Sequence, residues 1–174
     1  MIDAVVYSPI YIFIVTILSL FVYSRYSHIT SDTVLFNNKR GKGGMFLLML
    51  FLIFFIGFRP QSGVFIDMMN YIQNYHAFFE NVPFHWDANA ENFLFDNYFA
   101  FVGSQNLGTT FFFVTIAAIY FGCAYWGIHR LFPNDTTIAY LTFLGAFSTF
   151  SYGTNGIKAG AAASLFIGKS VFLC

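Results

Sequence analysis

Apolar residues in this chain come in blocks of membrane-spanning size set apart by polar stretches. The first block, residues 4–24, is broken only by Ser, Thr and one Pro, and it ends at Arg25. Asp3 stands before it and Arg25-Tyr26-Ser27-His28 follow, the reverse of a cleavable signal with its basic start and small-residue cleavage site. The block therefore predicts a retained helix. A second block, 45–58, is nearly pure Leu, Phe, Ile and Met; with Gly43 and Gly44 it makes roughly 16 residues, a short span beside the usual ~20.

Two further blocks, 111–128 and 136–152, flank the turn His129-Arg130-Leu131-Phe132-Pro133-Asn134-Asp135 and predict a helical hairpin. A fifth runs from Gly156 to Cys174. Residues 59–107 form the one long mixed-polarity segment: residues 64–79 have helix-compatible composition, Asn81-Val82-Pro83 reads as a stop, and 92–102 as a second, aromatic-rich amphipathic piece suited to a membrane interface. The fold class expected is all-α: a polytopic transmembrane helical bundle of about five spans, near 4–24, 43–58, 107–128, 136–152 and 156–174. It forms a single membrane domain, with an outer-face amphipathic segment between spans two and three.

Charge orients this bundle. Residues 25–44 carry Arg25, Lys39, Arg40 and Lys42 against the single acid Asp32, and Gly41, Gly43 and Gly44 are expected to break any helix there. Residues 59–106 carry Asp67, Glu80, Asp87, Glu91 and Asp96 against Arg59 alone. The positive-inside rule puts the basic loop in the cytoplasm. The N-terminus, the acidic region and the turn at 151–158 are then extracytoplasmic, and Arg130 is inside.

Composition changes this picture little. The 174 residues are 57% hydrophobic and only 9% charged, against roughly 25% charged in an ordinary soluble domain, so a water-facing surface cannot be built from them. Net charge is zero, which gives no field to attract nucleic acid. Cys123 and Cys174 form neither a disulfide pattern nor metal spacing, and lone His76 and His85 are poor metal ligands, so no metal or other cofactor is expected.

Candidate chemistry collects at the outer face. Arg59 and Lys158 are the two basic residues there, and cations at a membrane boundary suit a lipid-linked phosphate or diphosphate. Snorkelling from a helix end accounts for them equally. On a helix over 64–79, Asp67 shares a face with Asn70, Tyr71 and Asn74 at i+3, i+4 and i+7. Such a face suits sugar hydroxyls and ring faces, with Asp67 as a general base, and it also describes a plain solvated face. Asn155 and Gly156 read as a turn opening a helix, leaving N–H groups for an anion. Gly156, Gly160, Ser164 and Gly168 recur every fourth residue as a close-packing stripe, with Lys158 held beside it against protein.

Two segments carry a resemblance. Gly57-Phe58-Arg59-Pro60 with Gly63, Asp67, Tyr71 and Tyr75, and Phe150-Ser151-Tyr152-Gly153-Thr154-Asn155-Gly156-Ile157-Lys158, together resemble the EpsG family. That family is similar to the Wzy-type polymerases of O-antigen and exopolysaccharide synthesis, multi-pass proteins of the bacterial inner (cytoplasmic) membrane that join lipid-diphosphate-linked oligosaccharide repeats at the periplasmic face. Its second motif commonly reads Asn-Gly-Ile-Arg-Gln, where this chain has Lys158-Ala159 in the last two places.

The resemblance implies a glycosyltransferase acting on undecaprenyl-diphosphate-linked saccharide, without a nucleotide sugar. Arg59 and Lys158 would stabilise the departing diphosphate, and Asp67 would orient or deprotonate the acceptor hydroxyl. Tyr71, Asn74, Tyr75, Asn155 and Gly156 would contact substrate. Membrane lipid and polysaccharide-assembly proteins, such as a chain-length regulator or flippase, would be partners. Family members continue with several more spans, so the chain is expected to be an N-terminal fragment. The rival expectation is a non-catalytic component of saccharide or lipid translocation or envelope assembly. A translocator should carry polar residues along its spans, and blocks one to four carry almost none between their ends.

Overall fold

The structure, a computed structural model, describes residues 3–27 and 38–172, with the backbone alone at 25–27, 38–42, 147 and 170–172. A 3-10 turn, Ala4–Val6, is capped by the Asp3 carboxylate, which accepts from Val5 N at 3.1 Å. It leads into α1 (Tyr7–Ser27), followed by α2 (Asn38–Gly57). Next come α3 (Ile66–Asn74), which widens into a π-helical turn at Tyr75–Phe79, and α4 (Phe93–Ser104). α5 (Gly108–Leu131), α6 (Thr136–Gly145), α7 (Phe147–Thr154) and α8 (Ile157–Phe172) complete the chain, and no strand occurs among the described residues.

The central element is α5, because its own sequence lets neighbours come close on several sides. It buries Phe112, Phe113, Ile116, Ala117, Tyr120, Phe121 and Ala124. A Cβ added to Gly57 would lie 2.8 Å from Val114 Cα, so α2 touches α5 backbone to backbone. The small-residue stripe does the same for α8: Gly160, Ser164 and Gly168 are buried, and a Cβ on Gly160 would sit 2.8 Å from Tyr152 O and 3.3 Å from the Tyr120 ring. Absence of side chains at these points converts helix approach into dispersion contact over whole helix faces.

Among the described residues, two helical stretches, Ala4–Ser24 and Gly108–Leu131, are long and apolar enough to cross a membrane. Only 17% of the first is buried, and Ile12, Phe13, Leu20 and Phe21 stand exposed along it. The apolar part of α2 (Gly43–Gly57) and α6 are shorter; at 1.5 Å per residue α6 reaches roughly 15 Å against a hydrocarbon core of ~30 Å.

Two expectations are corrected. The expected span over 136–152 is not one helix, since Ala146 is extended (ψ 129°) and separates α6 from α7. The break survives because side chains take up carbonyls beside it: Tyr11 Oη donates to Leu144 O at 2.7 Å and Thr149 Oγ1 to Phe143 O, while Tyr120 Oη donates to Thr149 O within α7 at 3.3 Å. The expected glycine-broken basic loop also changes. Residues 28–37 lie outside the described residues, but Gly41, Gly43 and Gly44 lie within α2, where the continuing backbone hydrogen bonds outweigh the roughly 1 kcal/mol cost of each glycine.

At one end of the bundle the start of α1, the end of α2, the start of α5 and the α7–α8 junction meet. Tyr7 stacks on Phe55 with ring centroids 4.6 Å apart, and Gln61 Nε2 donates to Thr109 Oγ1 at 3.0 Å. α3 and α4 pack here too, around Phe99 and Phe112 (4.6 Å). The N-terminal turn, residues 59–106 and the 151–158 segment thus share one end. The α5–α6 turn lies at the other, where His129 Nδ1 and Thr136 Oγ1 are 3.1 Å apart.

Candidate functional site

α3 is a nine-residue helix with one polar face. Met68 and Ile72 face the core, which leaves Asp67, Asn70, Tyr71 and Asn74 on the opposite side. There they face the first turn of α8, and together with Gly156, Ile157, Lys158 and Ala159 they line a pocket of about 390 Å³. Five of the residues singled out from sequence, Asp67, Tyr71, Asn74, Gly156 and Lys158, share this wall although nearly ninety positions separate its two halves.

Tyr71 forms the aromatic side of the pocket. Its ring packs against Phe95 (5.7 Å), Phe99 (5.8 Å) and Phe112 (6.0 Å), which fixes its plane. Burial pushes its phenol up to about 12, and the negative charges of Asp67 and Asp96 add to the rise. Gly156 lies beside the Tyr152 ring, which a Cβ there would approach within 2.7 Å and push aside.

Lys158 is half-open and occupied. Its Nζ lies 3.4 Å from Asp96 Oδ1, and it sits over the Phe95 ring at 5.2 Å and the Tyr71 ring at 5.9 Å. Asp96 is held in turn by the first turn of α4, where its Oδ2 accepts from Asn92 N at 3.1 Å. Among the described residues, Asp67 has no basic group within 4.0 Å.

Arg59 lies elsewhere. It is 4% exposed, its Nη1 donates to Ile56 O at 2.8 Å and its Nη2 to Thr154 O at 3.0 Å. These are carbonyls at the C-terminal ends of α2 and α7, where a cation satisfies orphan acceptors and opposes the helix dipole. Phe65 and Phe113 close over the guanidinium at 5.5 and 4.8 Å. Burial pulls its pKa down to about 10, with Tyr7 opposing. The expected pairing of Arg59 and Lys158 around one anion is not what the geometry brings together.

Three other expected contacts are displaced. Tyr75 is 3% exposed, and its hydroxyl accepts from Gly108 N at 3.1 Å. Eight residues on from Asp67 it has turned roughly 80° off the polar face at 100° per residue. Asn155 lines a second groove of about 430 Å³ between α1 and the α6–α7 break, where its Oδ1 is buried without a partner among the described residues. The N–H groups of Asn155 and Gly156 do not await an anion, since both donate to Ser151 O, at 2.8 and 3.1 Å, as the end of α7 tightens.

Sequence reasoning counted Asp96 among the acids of residues 59–106 without linking it to Lys158. The one local signal is its position in the first turn of the amphipathic piece beside Phe95, where α4 begins. Compared with known proteins, the chain matches no family model, no curated protein and no solved structure.

Proposed function

We propose that this chain is a membrane-embedded glycosyl-transferring protein of the Wzy-like, EpsG kind, with the α3–α8 pocket as its saccharide site and a lipid-diphosphate-linked saccharide as substrate. The observation that carries the reading is the convergence of Asp67, Asn70, Tyr71 and Asn74 with Gly156 and Lys158 around one pocket. Amides and a carboxylate hydrogen-bond hydroxyls, and an aromatic ring offers a face to an apolar sugar face. Asp67, free of a basic partner among the described residues, is available to take the proton of an acceptor hydroxyl. That oxygen would attack the anomeric carbon, and the bond to the lipid diphosphate would break with its electron pair leaving on phosphate. Lys158 supplies the one cation in the pocket wall. Arg59 is a positioning residue that ties α2 to the end of α7, one turn before Lys158.

The chain would cross a bacterial inner membrane about five times with this end outside. The exposed apolar side chains of α1, α2 and α8, including Phe13, Leu47 and Phe166, support a lipid-facing belt. The rival reading, a non-catalytic saccharide-binding component, has one observation in its favour: Lys158 is already paired and Arg59 is sealed in.

One substitution separates the two. Asp67→Asn is tested in a polymerase-deficient strain for polymer ladders, with saccharide binding measured on the purified chain. Loss of polymer with binding retained supports a base. Loss of binding supports the non-catalytic component, and full activity would sink both roles for Asp67.

A further inference from the structure

We infer that the α3–α8 pocket selects a saccharide carrying a protonated amino group and disfavours rings bearing carboxylate, sulfate or phosphate. This rests on the saccharide reading above and names the class of sugar. The argument is one of charge placement in a concave site.

Asp67 and one ammonium, Lys158, line the pocket, and Asp96 pairs with that ammonium from outside the lining, so the three groups together leave one negative charge. At rest that ammonium is paired: Asp96 Oδ1 is 3.4 Å away, and the Phe95 and Tyr71 rings lie at 5.2 and 5.9 Å. An anionic ligand would have to displace Asp96 and still meet Asp67. The nearest alternative cation, Arg59, is spent on Ile56 O and Thr154 O and is not on the pocket wall. His76 is paired with Glu80 at 2.7 Å, one π turn beyond α3.

Asp67 offers what an ammonium needs, an acceptor carboxylate without a basic partner among the described residues, while the Asn70 and Asn74 amides serve neighbouring hydroxyls. The Tyr71 phenol is raised first by burial and then by Asp67 and Asp96, which places both carboxylates close enough to act on its ring. A charge-assisted hydrogen bond is about twice as strong as a neutral one, so an amine should bind roughly tenfold tighter than its N-acetyl counterpart.

The test uses the full chain in nanodiscs of neutral phospholipid, in mildly acidic buffer where the amines carry protons. Binding is measured by calorimetry for three tetrasaccharides: β-1,4-glucosamine, its N-acetylated form, and galacturonic acid. The expected order is amine about tenfold tighter than N-acetyl, with the uronide weakest. Asp67→Asn should erase the preference. Lys158→Met should enlarge it by freeing Asp96, which keeps the test alive if Asp67→Asn does not fold. A uronide that binds as well as the amine, or a preference that survives folded Asp67→Asn, overturns the inference while leaving a saccharide site. If none of the three binds, the saccharide reading falls and takes the inference with it.

Discussion

Arg59 and Lys158 are both cations at the same end of the bundle, yet one is sealed and the other half-open. Arg59 is 4% exposed, with two carbonyl acceptors and two rings around its guanidinium. The Lys158 side chain keeps 38% of its surface and holds a single carboxylate at 3.4 Å. The planar five-donor head of arginine can satisfy two helix ends at once, while a lysine ammonium on a flexible stem can swing between Asp96 and a ligand. The difference teaches that charge at a helix boundary does not define a binding group; the acceptors already present decide whether it is structural or available.

The sharpest break of this comparison is Arg59→Ala. It strands the Thr154 carbonyl, leaves Ile56 O only the 3.4 Å bond from the backbone N–H of residue 59, and opens a void between Phe65 and Phe113, so unfolding in detergent should show a loss of about 3 kcal/mol or more. Arg59→Lys should recover part of it. If Arg59→Ala unfolds like the parent, its role is contact with ligand and the comparison collapses.

Next in size is helix approach. Gly57→Ala drives a Cβ to 2.8 Å from Val114 Cα and should cost about 1–3 kcal/mol in the same measurement, whereas Gly122→Ala, with nothing within 4 Å, should be nearly neutral. Equal effects would mean that the α2–α5 contact is looser than the geometry indicates. Smaller still is Lys158→Met, for which a change under ~1 kcal/mol is expected because the ion pair is partly solvated. A loss as large as that of Arg59→Ala would make Lys158 structural too.

A further effect is expected in alkali. The Tyr71 phenol titrates from the usual 10 up to about 12 in the folded chain. Between those values the unfolded chain has released this proton and the folded chain retains it, so stability falls as pH rises through the window and is unaffected below it. Absorbance titration of the parent against Tyr71→Phe should show one late-ionising phenol removed. No difference between the two curves would argue against the burial and the negative field at that wall.

Much of the fold was legible because long apolar runs allow few alternatives. The helices of 59–107 and the packing role of Gly160, Ser164 and Gly168 follow from period and side-chain size. The break at Ala146 was not legible, because an apolar Phe143-Leu144-Gly145-Ala146-Phe147 run looks continuous. What permits the break is Tyr11, arriving from α1, together with Thr149 just past it on α7, holding the Leu144 and Phe143 carbonyls. The polar face of α3 was readable from i, i+3, i+4, i+7 spacing, while the displacement of Tyr75 follows from eight residues overshooting that face.

By itself, then, the sequence determined helical class, the positions of most helices and which residues on α3 share a face, since these depend on period, length and side-chain size within a few turns. Only the tertiary structure decided that Lys158 meets Asp96 and Tyr71, that Arg59 is closed off between two helix ends, and that Asn155 turns toward a different groove. Those outcomes depend on which acceptor a long side chain reaches first. Neighbours sixty or ninety residues away supply the acceptors, and no local pattern records them.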